Sequence, residues 1–433
     1  MDVEWSGLGL ALSPKDLAAW EKAEQEIEAN RCGDVIVRVA DENGQALSGV
    51  PVRYEQRQHA FRFGAQYPYQ AEVYDLLQEA GVNSATLWLG WKYVQPEPGL
   101  YNWGYLERVW NPAAMRQRGL RLTAHALNWF KPLWNVLPQY LVETPLGELP
   151  RLVYDHIEQV AWRWGAYIET FELANEPFWG DADALNLTLE DMVRICKATA
   201  LAVRDVLPHA LLEVNFAEIS RVQSYHVRPC DLLAALDQQG VPYDRIGLQA
   251  FENGYSVTMP PTFYRSKTFT GMLQSIAKYV SLGRPLDITA LAVPSVLPVA
   301  KPPSGFKLPY GAWGEETQAR YLDAAYTLLF ARREIEGITW WCPVDGRLAY
   351  IPGGGLLRED LTPKPAYQAL RQWVARHTTS GTKQTDDQGR AVIRGYAGDY
   401  ELTVGSGAMG RRLTHAIHAR EVHERMVVLA HNS

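Results

Sequence analysis

Eight short apolar runs, each closing on polar or aromatic residues and followed by a longer helix-like stretch, constrain this chain more than any other feature. They are FRFGAQ (61–66), SATLWL (84–89), RLTAHALNW (121–129), TFELANE (170–176), LLEVNFAE (211–218), RIGLQAF (245–251), LDITALAV (286–293) and GITWWCP (337–343). Parallel strands buried on both faces read as near-continuous apolar runs, and a crossover helix must join each to the next. Eight such units predict an α/β chain closed into a (β/α)8 TIM barrel. The stretch after Trp313 shows the helical half of a unit, with Ala319, Leu322, Tyr326 and Leu329 on one stripe and Glu315–Glu316 in the first turn. No low-complexity tract or solenoid-type repeat is present, so a propeller or repeat array is not expected.

At 433 residues the chain exceeds one barrel. The surplus lies at the ends. Residues 33–63 alternate apolar and polar positions around the turns at Glu42–Asn43–Gly44 and Ser48–Gly49, the pattern of paired antiparallel strands. Residues 386–431 read similarly: DDQGRAVIRGYAGDYELTV supplies two strands and VHERMVVLA a third. The two ends are expected to join into a small accessory β-sandwich-like module. The division that follows is a helix-and-strand segment over 1–59, the barrel over 60–376, and a C-terminal β module over 377–433.

A formal net charge of −7 without a Lys/Arg run argues against a nucleic-acid partner. Cys32, Cys196, Cys230 and Cys342 lie too far apart for a metal spacing or a disulfide framework. Phosphate-binding glycine loops, metal-ligand clusters and cofactor fingerprints are missing, so neither a metal nor a cofactor is expected. No stretch reads as a bilayer span and the first twenty residues do not read as a leader, which predicts a soluble chain with no membrane partner; its compartment and oligomeric state stay open. The 15 Trp and 22 Tyr are more informative, since many flank Asn, Gln, Glu or His, and flat aromatic faces stack on sugar rings while amides and carboxylates bond the hydroxyls.

In barrels of this kind the chemistry sits at the C-terminal ends of the strands. His125, Asn175–Glu176, Asn215, Gln249 and Trp341 fall at or near such ends on separate strands, which favours one shared site. Retaining glycoside hydrolysis needs two carboxyl groups, one protonating the leaving oxygen and one attacking the anomeric carbon. Glu176 in Asn175–Glu176–Pro177 is the candidate acid/base, and an Asn just before it suits a donor to the sugar 2-hydroxyl.

These motifs resemble, in order from about Phe61 to Leu370, the family-ten glycoside hydrolases of the endo-β-1,4-xylanase type. NSATLWLGWKYVQPEPGLYNW (83–103) is similar to the family segment N-x-x-T-P-E-N-x-M-K-W…E-P-x-x-G, with Asn83, Thr86, Lys92, Glu97–Pro98 and Gly99 in register. AHALNW (124–129) resembles G-H-T-L-V-W, ELANEP the acid/base motif W-D-V-V-N-E, and IGLQAF (246–251) I-G-x-Q-x-H. WWCPVDG (340–346) with LLREDLTPKPAY (356–367) resembles the family's last strand and ending. The resemblance implies that Glu176 is the acid/base, that Asn175 bonds the 2-hydroxyl, and that His125, Trp129, Gln249 and Trp341 line the −1 sugar with Lys92 nearby. It also implies an oligosaccharide or polysaccharide partner, xylan by default.

The departures matter as much. Where the family carries T-E-L-D, this chain has Thr289–Ala290–Leu291–Ala292, so a methyl group stands in the nucleophile's place and no covalent glycosyl-enzyme can form there. The expectation is a nucleophile-inactivated variant of a retaining hydrolase, with a natural carbohydrate-binding barrel as the alternative. A second carboxylate from Glu218 or Glu252 is a smaller third option. The family's E-N pair at the −2 sugar appears as Trp88–Leu89, and the His that orients the nucleophile appears as Phe251, so stacking and apolar contacts replace polar ones. The terminal module is expected to cap the barrel rather than bind sugar, since Tyr396 and Tyr400 are its only obvious candidates for exposed aromatics.

Overall fold

A computed structural model describes residues 10–66, 70–131, 136–179, 185–217, 225–252, 255–256, 262–263, 267–296, 310–311, 314–347, 351–406 and 410–429. The chain enters through helix α1 (Pro14–Arg31). Pro14 occupies the first turn, and the Ser13 hydroxyl accepts the Asp16 N–H at 3.2 Å. Trp20, Ala23, Ile27 and Arg31 form its buried stripe at helical spacing. Strands β1 (Cys32–Ala40) and β2 (Pro51–His59) follow.

The barrel takes β3 (Arg62–Gln66), β4 (Ser84–Trp88), β5 (Arg121–His125), β6 (Ile168–Asn175), β7 (Leu211–Phe216) and β8 (Arg245–Phe251). A two-residue pair, β9 (Tyr255–Ser256) and β10 (Thr262–Phe263), interrupts the series before β11 (Leu286–Ala292) and β12 (Ile335–Trp341) complete it. The eight long strands close in the order β11-β12-β3-β4-β5-β6-β7-β8, every pairing parallel. The eight apolar runs of the sequence are therefore the eight barrel strands. The fifth-strand run is shorter than its apolar pattern suggests, because Ala126 turns to φ 61° directly after His125. The run over 211–218 ends as a strand at Phe216, and Glu218 lies outside the described residues.

The barrel interior is not wholly aliphatic. Near the starts of the strands, the Arg62 guanidinium donates to Asp287 at 2.5 and 2.7 Å, and Arg245 donates to Glu336 at 3.0 Å. Burial pushes the Asp287 carboxyl up, but Arg62 and Arg245 more than offset this and hold it below the usual range. Glu213 goes the other way: burial, then Asp287 and Glu172, drive its carboxyl well above the usual range against the opposing pull of Arg245 and Arg62.

Strands β13 (Ser380–Gln384), β14 (Arg390–Tyr396), β15 (Gly398–Val404), β16 (Arg411–Ile417) and β17 (Val422–Val428) build the accessory module with β1 and β2. One sheet runs β14-β1-β17 and the other β13-β2-β15-β16. The expected β1–β2 hairpin does not form, and the two strands lie in different sheets. The reason is burial: Val35, Val37 and Val39 on β1 and Val52 and Tyr54 on β2 all enter one core with Ile393, Tyr400 and Leu402, which two facing sheets cover and a lone hairpin would expose. The chain changes sheet again between β14 and β15 at Gly398, whose φ is 153°. A Cβ there would lie 2.1 Å from the Gln58 carbonyl oxygen, so only glycine fits. Strands β13 and β16 went unread in the sequence.

The two tyrosines proposed as exposed platforms are not exposed. Tyr400 is buried with its hydroxyl on the Tyr396 carbonyl at 2.6 Å. Tyr396 packs against His59, Phe330 and His377 at ring separations of 6.0, 6.1 and 5.5 Å, joining module to barrel.

Candidate active site

The mouth of the barrel is built where β4, β5, β6, β7, β8, β11 and β12 end. Three of these ends carry a non-glycine residue at positive φ immediately after the strand: Ala126 after β5, Glu176 after β6 (φ 49°) and Cys342 after β12 (φ 65°). Such backbone persists only where surrounding bonds hold it, and it collects at functional sites. The Glu176 N–H donates to the Asn215 carbonyl at 2.8 Å, and the Asn175 N–H donates to the Asn128 carbonyl at 3.0 Å.

Around Glu176 the polar groups interlock. The Trp129 indole N–H donates to its Oε2 at 3.0 Å. Asn175 Oδ1 accepts amide protons from Asn215 (3.1 Å) and Gln249 (3.2 Å), which leaves the Asn175 amide nitrogen as the end with protons to offer. Thr289 Oγ1 donates to Asn215 Oδ1 at 2.7 Å, so β6, β7, β8 and β11 are tied by one chain of bonds. Glu176 is only 8% exposed, and burial pushes its carboxyl up to about 7. His125, the Gln249 amide, Lys131 and the Trp129 indole oppose that rise in part.

The aromatic residues form a second connected set. Phe251 meets Trp341 edge-on at 6.0 Å, Trp341 meets His125 at 5.1 Å, His125 meets Trp88 at 5.3 Å, and Trp88 meets Trp129 at 5.4 Å. Of the residues singled out in the sequence, Glu176, Asn175, Asn215, Gln249, His125, Trp129, Trp88, Trp341 and Phe251 thus belong to one contiguous constellation. Lys92 lies beside it in the four-residue helix Trp91–Val94, half-buried, with its backbone N–H on the Val136 carbonyl at 2.9 Å.

Ala290 lies opposite Gln249 in the β11–β8 register, and a bulge separates Ile288 from Ala290. A bulge re-aims side chains. Asp287 and Thr289 line the barrel lumen below, while Ala290 joins an apolar cluster with Phe251, Ala292, Trp341 and Ile351, against which Trp88 packs. Position 290 therefore neighbours the residue that bonds Asn175, and its methyl group joins that apolar cluster. Glu252, the other carboxylate considered at a strand end, is bonded to Tyr310. Its Oε2 accepts the Tyr310 hydroxyl at 3.0 Å, and Tyr310 packs on Phe269 and Tyr321 in the helix layer outside the barrel.

The sequence reading missed Glu172. It is buried, with Oε1 3.0 Å from His125 Nδ1 and Oε2 accepting the Ala126 N–H at 2.7 Å. A carboxylate on Nδ1 sets the tautomer and leaves Nε2 as the other face of the ring. The signal was there: a charged residue inside an otherwise apolar run, which a buried strand carries only with a partner. Lys131 was also passed over as a site residue; its ammonium is held on the Trp179 carbonyl. Among the described residues no cluster of His, Cys, Asp and Glu could hold a metal ion, and no helix is long and apolar enough to cross a membrane.

Comparison with known proteins places this arrangement. The family described as Glycosyl hydrolase family 10 matches residues 70–373. An endo-1,4-beta-xylanase of Agaricus bisporus is 26% identical over 289 residues, covering 65% of this chain and 79% of that protein. Among solved structures, xylanase 10B from Thermotoga petrophila RKU-1 in complex with xylobiose has a TM-score of 0.55 at 17% identity, covering 74% of this chain and 94% of that one. The Thermobacillus composti GH10 xylanase has a TM-score of 0.53 at 22% identity, covering 72% and 97%. The structural likenesses speak to the barrel alone, whereas the family match spans every barrel strand from β4 to β12; by it, this chain belongs to glycosyl hydrolase family 10.

Proposed function

We propose that this chain is a glycoside hydrolase barrel for β-linked glycans, xylan-type by default, with Glu176 as acid/base and with Ala290 leaving the present sequence without a nucleophile. The observation that carries the reading is the state of Glu176: a buried carboxyl, bonded by Trp129 and raised to about 7, that is poised to give up a proton near neutral pH. Asn175, with its oxygen occupied by two amides, offers its N–H to a sugar hydroxyl. His125, Trp129, Gln249 and Trp341 line the −1 sugar, and Lys92 reaches it from the side. Gln249 Oε1 is buried without a partner among the described residues, and a ligand hydroxyl would fill it. Residues 60–376 form the substrate-binding barrel, and the segments 1–59 and 377–433 cap it.

In a retaining mechanism the second carboxylate attacks the anomeric carbon as the acid/base protonates the leaving oxygen. A methyl group at 290 can do neither, so the present chain binds glycan without double displacement. A second reading, a barrel that only binds glycans, draws support from the apolar cluster in which Ala290 packs with Phe251, Ala292, Trp341 and Ile351. On this account Trp88 makes the −2 region a stacking surface.

The two readings separate on the double variant Ala290→Glu with Phe251→His, assayed on β-glycans and aryl β-glycosides beside direct binding of xylo-oligosaccharides. Turnover with retained anomeric configuration supports the hydrolase reading. Binding without turnover supports the binder. Neither binding nor turnover in the double variant and the unaltered chain removes both.

A further inference from the structure

The barrel carries a second recess at its opposite end, under the accessory module. It is an open recess of about 420 Å³, within the range of small-molecule sites. Its floor comes from the starts of barrel strands, at Arg62, Arg121 and Arg245, and its roof from the end of α1 at Arg31 and the β16–β17 turn at Arg420, with Arg333 at the edge. Six arginines and two glutamates, Glu169 and Glu336, thus line it.

Half of those arginines are paired with an acid: Arg62 donates to Asp287 at 2.5 and 2.7 Å and reaches Glu336 at 3.4 Å, Arg245 donates to Glu336 at 3.0 Å, and Arg333 to Glu334 at 3.3 Å. Among the described residues Arg31, Arg121 and Arg420 have no carboxylate within ion-pair distance. Arg31 is held by neutral groups alone, the carbonyls of Phe330, Arg332 and Ile335, and Arg121 by the carbonyls of His59, Ala60 and Phe61. The Arg121 Nε–H is buried and has no partner among the described residues. Arg420 is exposed at the rim, where its charge acts against Arg31. Burial lowers Arg31 to about 10, with Glu336 and Glu334 opposing the fall and Arg420 adding to it; burial lowers Arg121 to about 10, with Arg62 and Arg245 adding to the fall and Glu169 and Asp287 opposing it. His59 between them is kept neutral, lowered to about 3 by burial and then by Arg31 and Arg121.

We propose that this recess binds a small polyvalent oxyanion, a phosphate ester or polycarboxylate, which clamps the accessory module onto the base of the barrel. Guanidinium forks match carboxylate and phosphate oxygens, and one multivalent counter-ion would answer the charges of Arg31, Arg121 and Arg420 together. The site stands apart from the mouth that holds Glu176, so its occupancy affects module docking rather than glycan chemistry.

The test is calorimetry and thermal unfolding with pyrophosphate and with citrate, ionic strength being held constant with sodium chloride. Saturable binding and a raised Tm are expected in the unaltered chain. The rim variant Arg333→Glu with Arg420→Glu is expected to keep its unliganded Tm and lose about tenfold or more in affinity. Preference for pyrophosphate identifies a phosphate ester and preference for citrate a polycarboxylate; either supports the site. Absence of saturation, equal affinity in the rim variant, or equal stabilisation by chloride alone overturns it, the last because it reports only screening. Should the double variant fail to fold, Arg420→Gln carries the same comparison.

Discussion

The two halves of the barrel mouth solve the same placement problem by opposite means. Around Glu176 the polar groups are paired in sequence, with Trp129 on the carboxylate, Asn215 and Gln249 on Asn175, and Thr289 on Asn215. Across β8, the corner at Ala290 has Phe251, Ala292, Trp341 and Ile351 and needs no such network. A buried polar group is costly once one partner is lost, whereas an apolar cluster tolerates change so long as volume is kept. The contrast teaches that a carboxylate placed at 290 would enter an apolar cluster rather than the bonded network around Glu176.

The largest effect expected from breaking this comparison is on the polar side. Glu172→Leu leaves His125 Nδ1 and the Ala126 N–H without their shared acceptor, and two orphaned buried donors should cost about 4 kcal/mol in denaturant unfolding. A loss under 1 kcal/mol would show that the pairing does not hold this half together.

Next is Glu176→Gln, whose effect depends on pH. The folded carboxyl is raised to about 7 from an ordinary 4.5, so the native state holds its proton more tightly than the unfolded one. Stability associated with the protonated group is complete below pH 4.5, falls as pH rises through 7, and is absent above it. The amide variant avoids this fall and should exceed the unaltered chain by about 3 kcal/mol at pH 8, the gap closing by about pH 4. A gap independent of pH would remove the titration of Glu176 as its cause.

The smallest effect is the sharpest probe of the apolar corner. Ala290→Glu alone should destabilise at neutral pH by burying a carboxylate in that cluster. Phe251→His added to it should recover about 1 to 2 kcal/mol, read as the coupling energy of a double-mutant cycle. No coupling would place the two side chains too far apart to act together, against their shared cluster.

Much of the mouth was legible before any coordinates. Gln249, Trp341, Asn215 and Asn175–Glu176 stood at the ends of apolar runs, and strands buried on both faces advertise themselves by composition. Glu172 was missed because a lone carboxylate in a strand does not announce its partner; His125 lies 47 positions earlier, and only barrel closure brings them to 3.0 Å. The terminal module was half legible. Alternation revealed strands β1, β2, β14, β15 and β17, but period-two burial looks the same whether neighbours in sequence pair or face each other, so the sheet assignment was misread.

The linear order of residues by itself determined the eight-fold strand–helix architecture, the family resemblance and the absence of a carboxylate at 290, because each is written in local periodicity or residue identity. Tertiary structure alone decided that Glu252 turns outward to Tyr310, that Ala290 joins an apolar cluster, that β1 and β2 face each other across a core, and that six arginines meet beneath the barrel. Those facts depend on which distant segments share a space, and burial and charge act through that space rather than along the chain.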